Sequence, residues 1–110
     1  LENLDRYVAD KRETAARYVE FFKGKEDITF FTEPADCKSN YWLNAVVLKD
    51  KAAQLDFLEY TNDHGVMTRP VWELMNRLPM FEHCETDGLE NTEWLADRVV
   101  NIPSSVRLDK

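Results

Sequence analysis

Apolar residues recur at three-to-four spacing over the first 23 positions. Leu4, Val8, Ala15, Tyr18, Val19 and Phe22 share one stripe, and Glu2, Arg6, Asp10, Glu13, Arg17 and Glu20 share the other face. That period predicts an amphipathic helix whose stripe packs on a core. Gly24 stands just past its end, where a left-handed cap suits glycine. The pattern then shortens. "ITFF" at 28–31 is β-branched and aromatic and is closed by Pro34, which predicts a short strand. "ADCKSN" at 35–40 reads as a loop. "YWLNAVVL" at 41–48 carries the clearest strand pattern, and Asn44 interrupts its alternation, as in a strand covered on both faces. The two strands pair antiparallel in the simplest arrangement.

Asp50 is placed to cap a helix over 51–64, with Ala52, Leu55, Leu58 and Thr61 inward and Phe57 and Tyr60 toward the flanks. His64 falls where the helix dipole favours a cation, and Gly65 ends the element. "VMT" at 66–68 reads as a short strand, giving strand–helix–strand. A short helical piece, "VWELMNR" at 71–77, follows Pro70 and is broken at Pro79; "MFEHCETDG" at 80–88 is irregular. A last helix is expected from about Leu89 to Asn101, with Asp87 and Glu90 in capping-box spacing. Its inner stripe would be Trp94, Leu95, Arg98, Val99 and Ile102, ending at Pro103 before the polar tail "VRLDK". No repeat or linker divides the chain. The expectation is one α+β domain over 1–110, a small and mostly antiparallel sheet covered by helices.

Charge narrows the partners. The chain carries 21 acidic and 14 basic residues for a net −7, with no basic block, so nucleic acid and anionic membranes are poor partners. No apolar run could span a bilayer. Three Trp, four Tyr and six Phe in 110 residues imply either a dense core or an apolar surface meant for something else. Cys37 and Cys84 read as free thiols of a reducing cytoplasm. "EHCE" at 82–85 sets His83 beside Cys84 without a second pair at ligand spacing, so no metal is expected. The chain starts at Leu1, without Met and within a predicted helix, and reads as a piece of a longer protein.

No self-contained catalytic constellation is visible. Three glycines, at 24, 65 and 88, exclude a glycine-rich phosphate loop. Ser104–Ser105 lacks a nucleophile elbow. Lys11, Lys23, Lys25, Lys38, Lys49, Lys51 and Lys110 all fall on helix surfaces, loop edges or the tail, not in apolar pockets. One segment stands out: "GVMTRPVWELMNRLPMF" at 65–81 is too apolar for a casual surface loop and too irregular for a strand or a long helix. Two readings compete for it. Arg69 beside Trp72 would make a carboxylate or phosphate clamp, because a fixed guanidinium binds such groups bidentately. Alternatively, Arg69 makes a salt bridge and Trp72 fills the core.

"SNYWLNAVVLKD", "LEYTNDHGVMTRPVWELMNRLPMF" and "NTEWLADRVVNIPSS", in that order, resemble the carboxy-terminal part of the DegT/StrS family over roughly 1–105. The form with "TRPVW" looks closest to enzymes making amino sugars of the legionaminic-acid and perosamine kind. Such a resemblance implies a fold-type-I aminotransferase dependent on pyridoxal phosphate, acting on a nucleotide-linked keto-sugar in amino-sugar and cell-surface polysaccharide biosynthesis, with glutamate as the donor. It implies that this chain is the small C-terminal domain, and that the cofactor and its lysine belong to a large domain outside it. No catalytic residue and no bound cofactor are then expected here. By resemblance, Arg69 and Trp72 approach the active-site mouth and hold the sugar nucleotide or the donor carboxylate, with Asn40 and Trp42 as further substrate contacts. The exposed aromatics would pack on the large domain or on the second subunit of a cytoplasmic homodimer. The alternative is a stand-alone, non-catalytic binding or regulatory module of the same fold.

Overall fold

The computed structural model describes residues 1–107; Leu108, Asp109 and Lys110, the end of the polar tail, lie outside the described residues. Helix α1 (Leu4–Phe22) leads to strands β1 (Ile28–Phe30) and β2 (Asn44–Leu48), then helix α2 (Lys51–Asp63) and strand β3 (Arg69–Pro70). A single 3-10 turn (Met75–Arg77), helix α3 (Glu90–Ala96) and strand β4 (Val99–Ile102) follow. The strands form one sheet in the order β1-β2-β4-β3, and every neighbouring pair is antiparallel. Since β2 and β3 both run against β4, they are parallel to each other, and the last strand slots between the two ends of the β2–α2–β3 crossover. This is the α+β architecture expected from the sequence.

One face of the sheet makes the core. Registers Phe30↔Val46, Val46↔Val100 and Asn44↔Ile102 set these side chains on the same face. Val46 and Val100 are fully buried there. Tyr18, Val19 and Phe22 of α1 and Ala53, Phe57 and Leu58 of α2 pack against that cluster. The rings of Tyr18 and Phe30 stack at 5.7 Å. Burial of such side chains is the main favourable term in folding. The other face carries Phe31, Leu43, Ala45, Val47 and Val99; Phe31 and Leu43 are exposed, and the α1 and α2 side chains that pack on the sheet belong to the opposite, core face. The expectation that β2 is covered on both faces is therefore not met within this chain.

The last helix is the main correction. It stops at Ala96, and 99–102 is β4. Trp94, Leu95, Arg98, Val99 and Ile102 do fall at helical spacing, but Val99, Val100 and Ile102 are β-branched and alternate between half-buried and buried. The backbone gains two antiparallel neighbours there, which a helix could not offer the sheet. Other boundaries shift too. The strand of the 41–48 stretch starts only at Asn44, and Arg69–Pro70 pairs with β4 in place of 66–68. The helical piece after Pro70 shrinks to the 3-10 turn because Leu74 is extended (ψ 136°). No capping box forms at α3. Leu89 takes the cap position with φ 53°, and Asp87 Oδ1 accepts from Leu89 N–H at 3.0 Å.

Asp50 caps α2 as expected, its side chain accepting from Ala53 N–H, and Gly65 turns left-handed (φ 77°). The inward face of α2 is rotated relative to expectation. Gln54, Ala53, Phe57 and Leu58 face the core, while Leu55 is exposed. Gln54 has a reason to be inside: Nε2 donates to Ala96 O (2.9 Å) and Val99 O (2.8 Å), carbonyls at the α3–β4 junction. A buried amide with two good acceptors is well placed. Among the described residues no helix is long and apolar enough to cross a membrane.

Candidate functional site

The site begins with the loop between β1 and β2, which is stapled to α1. Arg12 donates from Nη2 to Glu33 Oε1 (2.7 Å) and from Nη1 to Glu33 Oε2 (3.0 Å) and Ser39 O (2.6 Å). Ser39 N–H donates to the same carboxylate, and Glu33 N–H to Tyr41 Oη at 3.2 Å. The Arg12 fork, then the Ser39 amide, hold the Glu33 carboxyl down to about 2. The fork has the planar geometry that makes such pairs selective. Tyr41 stacks on Phe30 and takes a positive φ of 46°, an uncommon state for a residue with a Cβ. The chain turns there, and Asn40 Oδ1 accepts from Trp42 N–H at 3.0 Å to close the turn. Trp42 emerges 64% exposed.

Two more elements complete a groove. Lys11 Nζ donates to Ser104 O (2.6 Å) and Trp42 O (3.3 Å), tying α1 to the segment after β4 and to the head of β2. Ser104 Oγ accepts from Asn44 N–H (2.8 Å) and donates to Ile102 O (2.7 Å). On the far side of the sheet, Thr68 is buried and bonded to Thr61 Oγ1 (2.6 Å) and Asn62 Nδ2 (3.0 Å) of α2. With Thr68 held inward, Arg69 points to the outer face beside its register partner Asn101. The result is an open groove of about 480 Å³ with Lys11, Trp42, Met67, Arg69, Asn101 and Ser105 among its walls.

Arg69 and Trp42 thus meet in one groove. Asn40 supports it by shaping the turn under Trp42. Trp72 does not line it: it lies beyond β3 and is 81% exposed, so it neither fills the core nor joins this groove. Among the described residues Arg69 has no salt-bridge partner, and no Asp or Glu lines the groove. In a chain of net charge −7, that is a locally cationic site. Sequence reasoning missed Lys11, Asn101 and Ser105. Lys11 looked like a surface lysine, yet it sits three residues after Val8 and four before Ala15, on the apolar stripe of α1, and is half-buried.

A second cavity, about 510 Å³, lies between the 3-10 turn and α3, with an apolar floor of Leu74, Met75, Phe81 and Leu89 and with Glu73 and Glu85 at its wall. Cys84 lines it; both cysteines are exposed and unbridged. Among the described residues no group of three or more His, Cys, Asp or Glu could hold a metal.

The pattern of the DegT/DnrJ/EryC1/StrS aminotransferase family matches residues 1–110. The chain belongs to that family. It is 27% identical over 108 residues to EpsN of Bacillus subtilis (strain 168), whose name describes a pyridoxal phosphate-dependent aminotransferase; the match takes in 94% of this chain and 28% of EpsN. It superposes on the aminotransferase TlmJ from Streptoalloteichus hindustanus with a TM-score of 0.84 at 22% identity, over 94% of this chain and 28% of TlmJ. With the sugar aminotransferase CalS13 from Micromonospora echinospora the TM-score is 0.81 at 25% identity, over 100% of this chain and 29% of CalS13. The chain therefore spans under a third of the length of the relatives it matches.

Pyridoxal phosphate is the family's cofactor, and the residues here do not compose a site for it. Among the described residues Lys11 is the one amine lining the groove, and its Nζ is engaged by two carbonyls. Among the described residues no carboxylate lines the groove to hold a pyridinium nitrogen.

Proposed function

We propose that this chain is the small C-terminal domain of a pyridoxal-phosphate-dependent aminotransferase. That enzyme moves an amino group, with glutamate as donor, to a nucleotide-linked keto-sugar in amino-sugar and cell-surface polysaccharide biosynthesis. The cofactor and the lysine that carries it belong to a large domain of the same longer protein. One observation carries the substrate side of this reading: the groove sets Arg69 beside the exposed indole of Trp42, and among the described residues Arg69 has no salt-bridge partner and no carboxylate lines the groove. A guanidinium fork binds an anionic group bidentately, and an indole offers its face to a ring or an apolar edge. Two relatives, the sugar aminotransferase CalS13 and the pyridoxal phosphate-dependent aminotransferase EpsN, support the same direction.

The uncovered sheet face supports the division into domains. Phe31 and Leu43 stand exposed beside half-buried Ala45, Val47 and Val99, a patch that a self-sufficient binding module would cover. In our reading the large domain covers it, the enzyme is a cytoplasmic homodimer, and this chain alone has no activity. Trp72, Met75 and Met80, all exposed, are available to the large domain or the second subunit.

The visible spectrum of the full-length parent with pyridoxal phosphate, before and after glutamate, tests the reading. A cofactor band that changes on adding glutamate supports an aminotransferase; a parent that binds no cofactor sinks it. In that parent, Arg69→Ala is expected to raise the apparent constant for the keto-sugar about tenfold or more, as for loss of a charge-assisted hydrogen bond, while its melting temperature stays within a few degrees. Loss of folding with intact affinity would instead make Arg69 a structural residue.

A further inference from the structure

The cavity between the 3-10 turn and α3 shares no lining residue with the groove around Arg69. Its floor is apolar, made by Leu74, Met75, Phe81 and Leu89, and its volume of about 510 Å³ is that of a small-ligand pocket. Its surroundings are acidic. Residues 73–93 hold six carboxylates, on Glu73, Glu82, Glu85, Asp87, Glu90 and Glu93, against the single cation Arg77, so net −5 of the chain's −7 sits in this stretch. Arg77 is already taken: Nη1 faces Glu73 Oε1 (3.6 Å) and Nη2 faces Glu93 Oε1 (3.9 Å). Glu73 also accepts from Leu74 N–H at 3.0 Å. Glu85, the other carboxylate on the cavity wall, has no salt-bridge partner among the described residues. We propose that this cavity is a binding site for a small amphiphilic amine, with its apolar body on the floor and its ammonium against Glu85. The site does not depend on the aminotransferase reading.

Charge selects among occupants. A wall and surroundings of one sign draw cations and repel anions. A metal ion is a poor fit. Among the described residues no group of three or more His, Cys, Asp or Glu could hold one, and a hard cation gains nothing from an apolar floor. A second copy of this chain is no better, since its sequence offers no basic block. An organic ammonium answers both halves of the cavity. Its N–H donors find the Glu85 carboxylate and the oxygen acceptors of Asn76, Thr86 and Thr92, which line the same cavity. Its body covers Leu74, Met75 and Leu89, and the unbranched Met75 side chain adapts to the shape it meets. The Phe81 ring serves either a cation at its face or an aromatic body at its edge. An ion pair against an apolar wall is also screened less than one in open water.

The test titrates phenylpropylammonium, phenylpropanol and phenylpropanoate, at matched ionic strength, into the 110-residue chain while backbone amide shifts are followed. The three share one apolar body and differ in charge. The ammonium should saturate shifts around 73–76, 81–86 and 89–92, and bind about tenfold or more tighter than the carboxylate and about threefold or more tighter than the alcohol. The two exposed thiols give a second readout. Cys84 lines the cavity and Cys37 lies in the loop between β1 and β2. Saturating ammonium should slow iodoacetamide alkylation of Cys84 about fivefold or more and that of Cys37 less than about twofold. Glu85→Gln keeps the shape and drops the charge. It should weaken the ammonium about fivefold or more and leave the alcohol within about twofold, while Glu26→Gln, beside β1 at the other edge of the sheet, changes neither by more than about twofold. Failure to saturate, equal binding of ammonium and carboxylate, equal protection of both thiols, or an equal loss in Glu26→Gln would each overturn the site. Should Glu85→Gln lose its amide dispersion, the ammonium-to-carboxylate ratio in the native chain decides alone. In the full-length parent the amine should protect Cys84 in the same way. A Cys84 that is unreactive there before any amine is added means that a segment of the longer protein fills the cavity, and that result also overturns the site.

Discussion

Arg12 and Glu33 are 21 residues apart, yet they hold the loop that presents Trp42. Glu33 has its folded value lowered from 4.5 to about 2, chiefly by the Arg12 fork. A lowered folded value means stability that is fully present above about 4.5 and lost as pH falls through about 2. The native chain should therefore lose melting temperature across that window more steeply than Glu33→Gln, and the two should converge near the lower limit. Parallel curves would show that the pair contributes nothing in solution. Both side chains are partly exposed, 32% and 23%, so solvent screens part of the effect. Asn44 poses the opposite case. It is 1% exposed, and neither side-chain Nδ2 nor Oδ1 has a partner among the described residues. Leu has nearly the same shape and no polar atoms, so Asn44→Leu should stabilise by about 1 kcal/mol or more, read from the urea midpoint. No residue-level pattern in the sequence marks these two sites. Partners so far apart in the chain meet only once α1 has docked, and Asn44, interrupting the alternation of its strand, read as the mark of a strand covered on both faces.

At the element scale the informative case is β4. Its residues satisfy both a helical and a strand reading, since a short run of Val99, Val100 and Ile102 is apolar on either period. Val100 decides it in the fold, fully buried with Val46 on one side and Pro70 on the other. Val100→Ala should destabilise by about 2 kcal/mol, from lost burial and the cavity left behind. In a helical 89–101 the same change would be close to neutral because Ala is the better helix former. A chemical-denaturation series separates the two. The helices and strands with strong local signals were legible: α1 and α2 with their caps and glycines, β1, and the body of β2. The phase of α2 was not, because Gln54 takes a core position only through acceptors at the α3–β4 junction. Apolar-in reasoning places Leu55 there instead.

For the whole molecule, the sheet is finished on one face only. Phe31→Ser and Leu43→Ser replace side chains that are 56% and 45% exposed in this chain, so its own melting temperature should barely move. In the full-length parent each should cost about 1 kcal/mol or more, because there the same apolar area is buried in our reading. Equal effects in both would mean that the face stays open. Much of this protein could be read from the order of its residues. Periodicity, capping and β-branching are local, so they set the α+β class, the long first helix, the Asp50-capped second helix and the first two strands. The segment around Arg69 also announced itself, through an apolar composition no surface loop needs. Position in space was another matter. That Arg69 meets Trp42 and Lys11, that Trp72 stands apart, and that the chain's last strand enters the middle of the sheet all depend on contacts between residues distant in sequence. Those contacts are selected by the shared burial of one sheet face and by backbone hydrogen bonds that only a partner strand can satisfy.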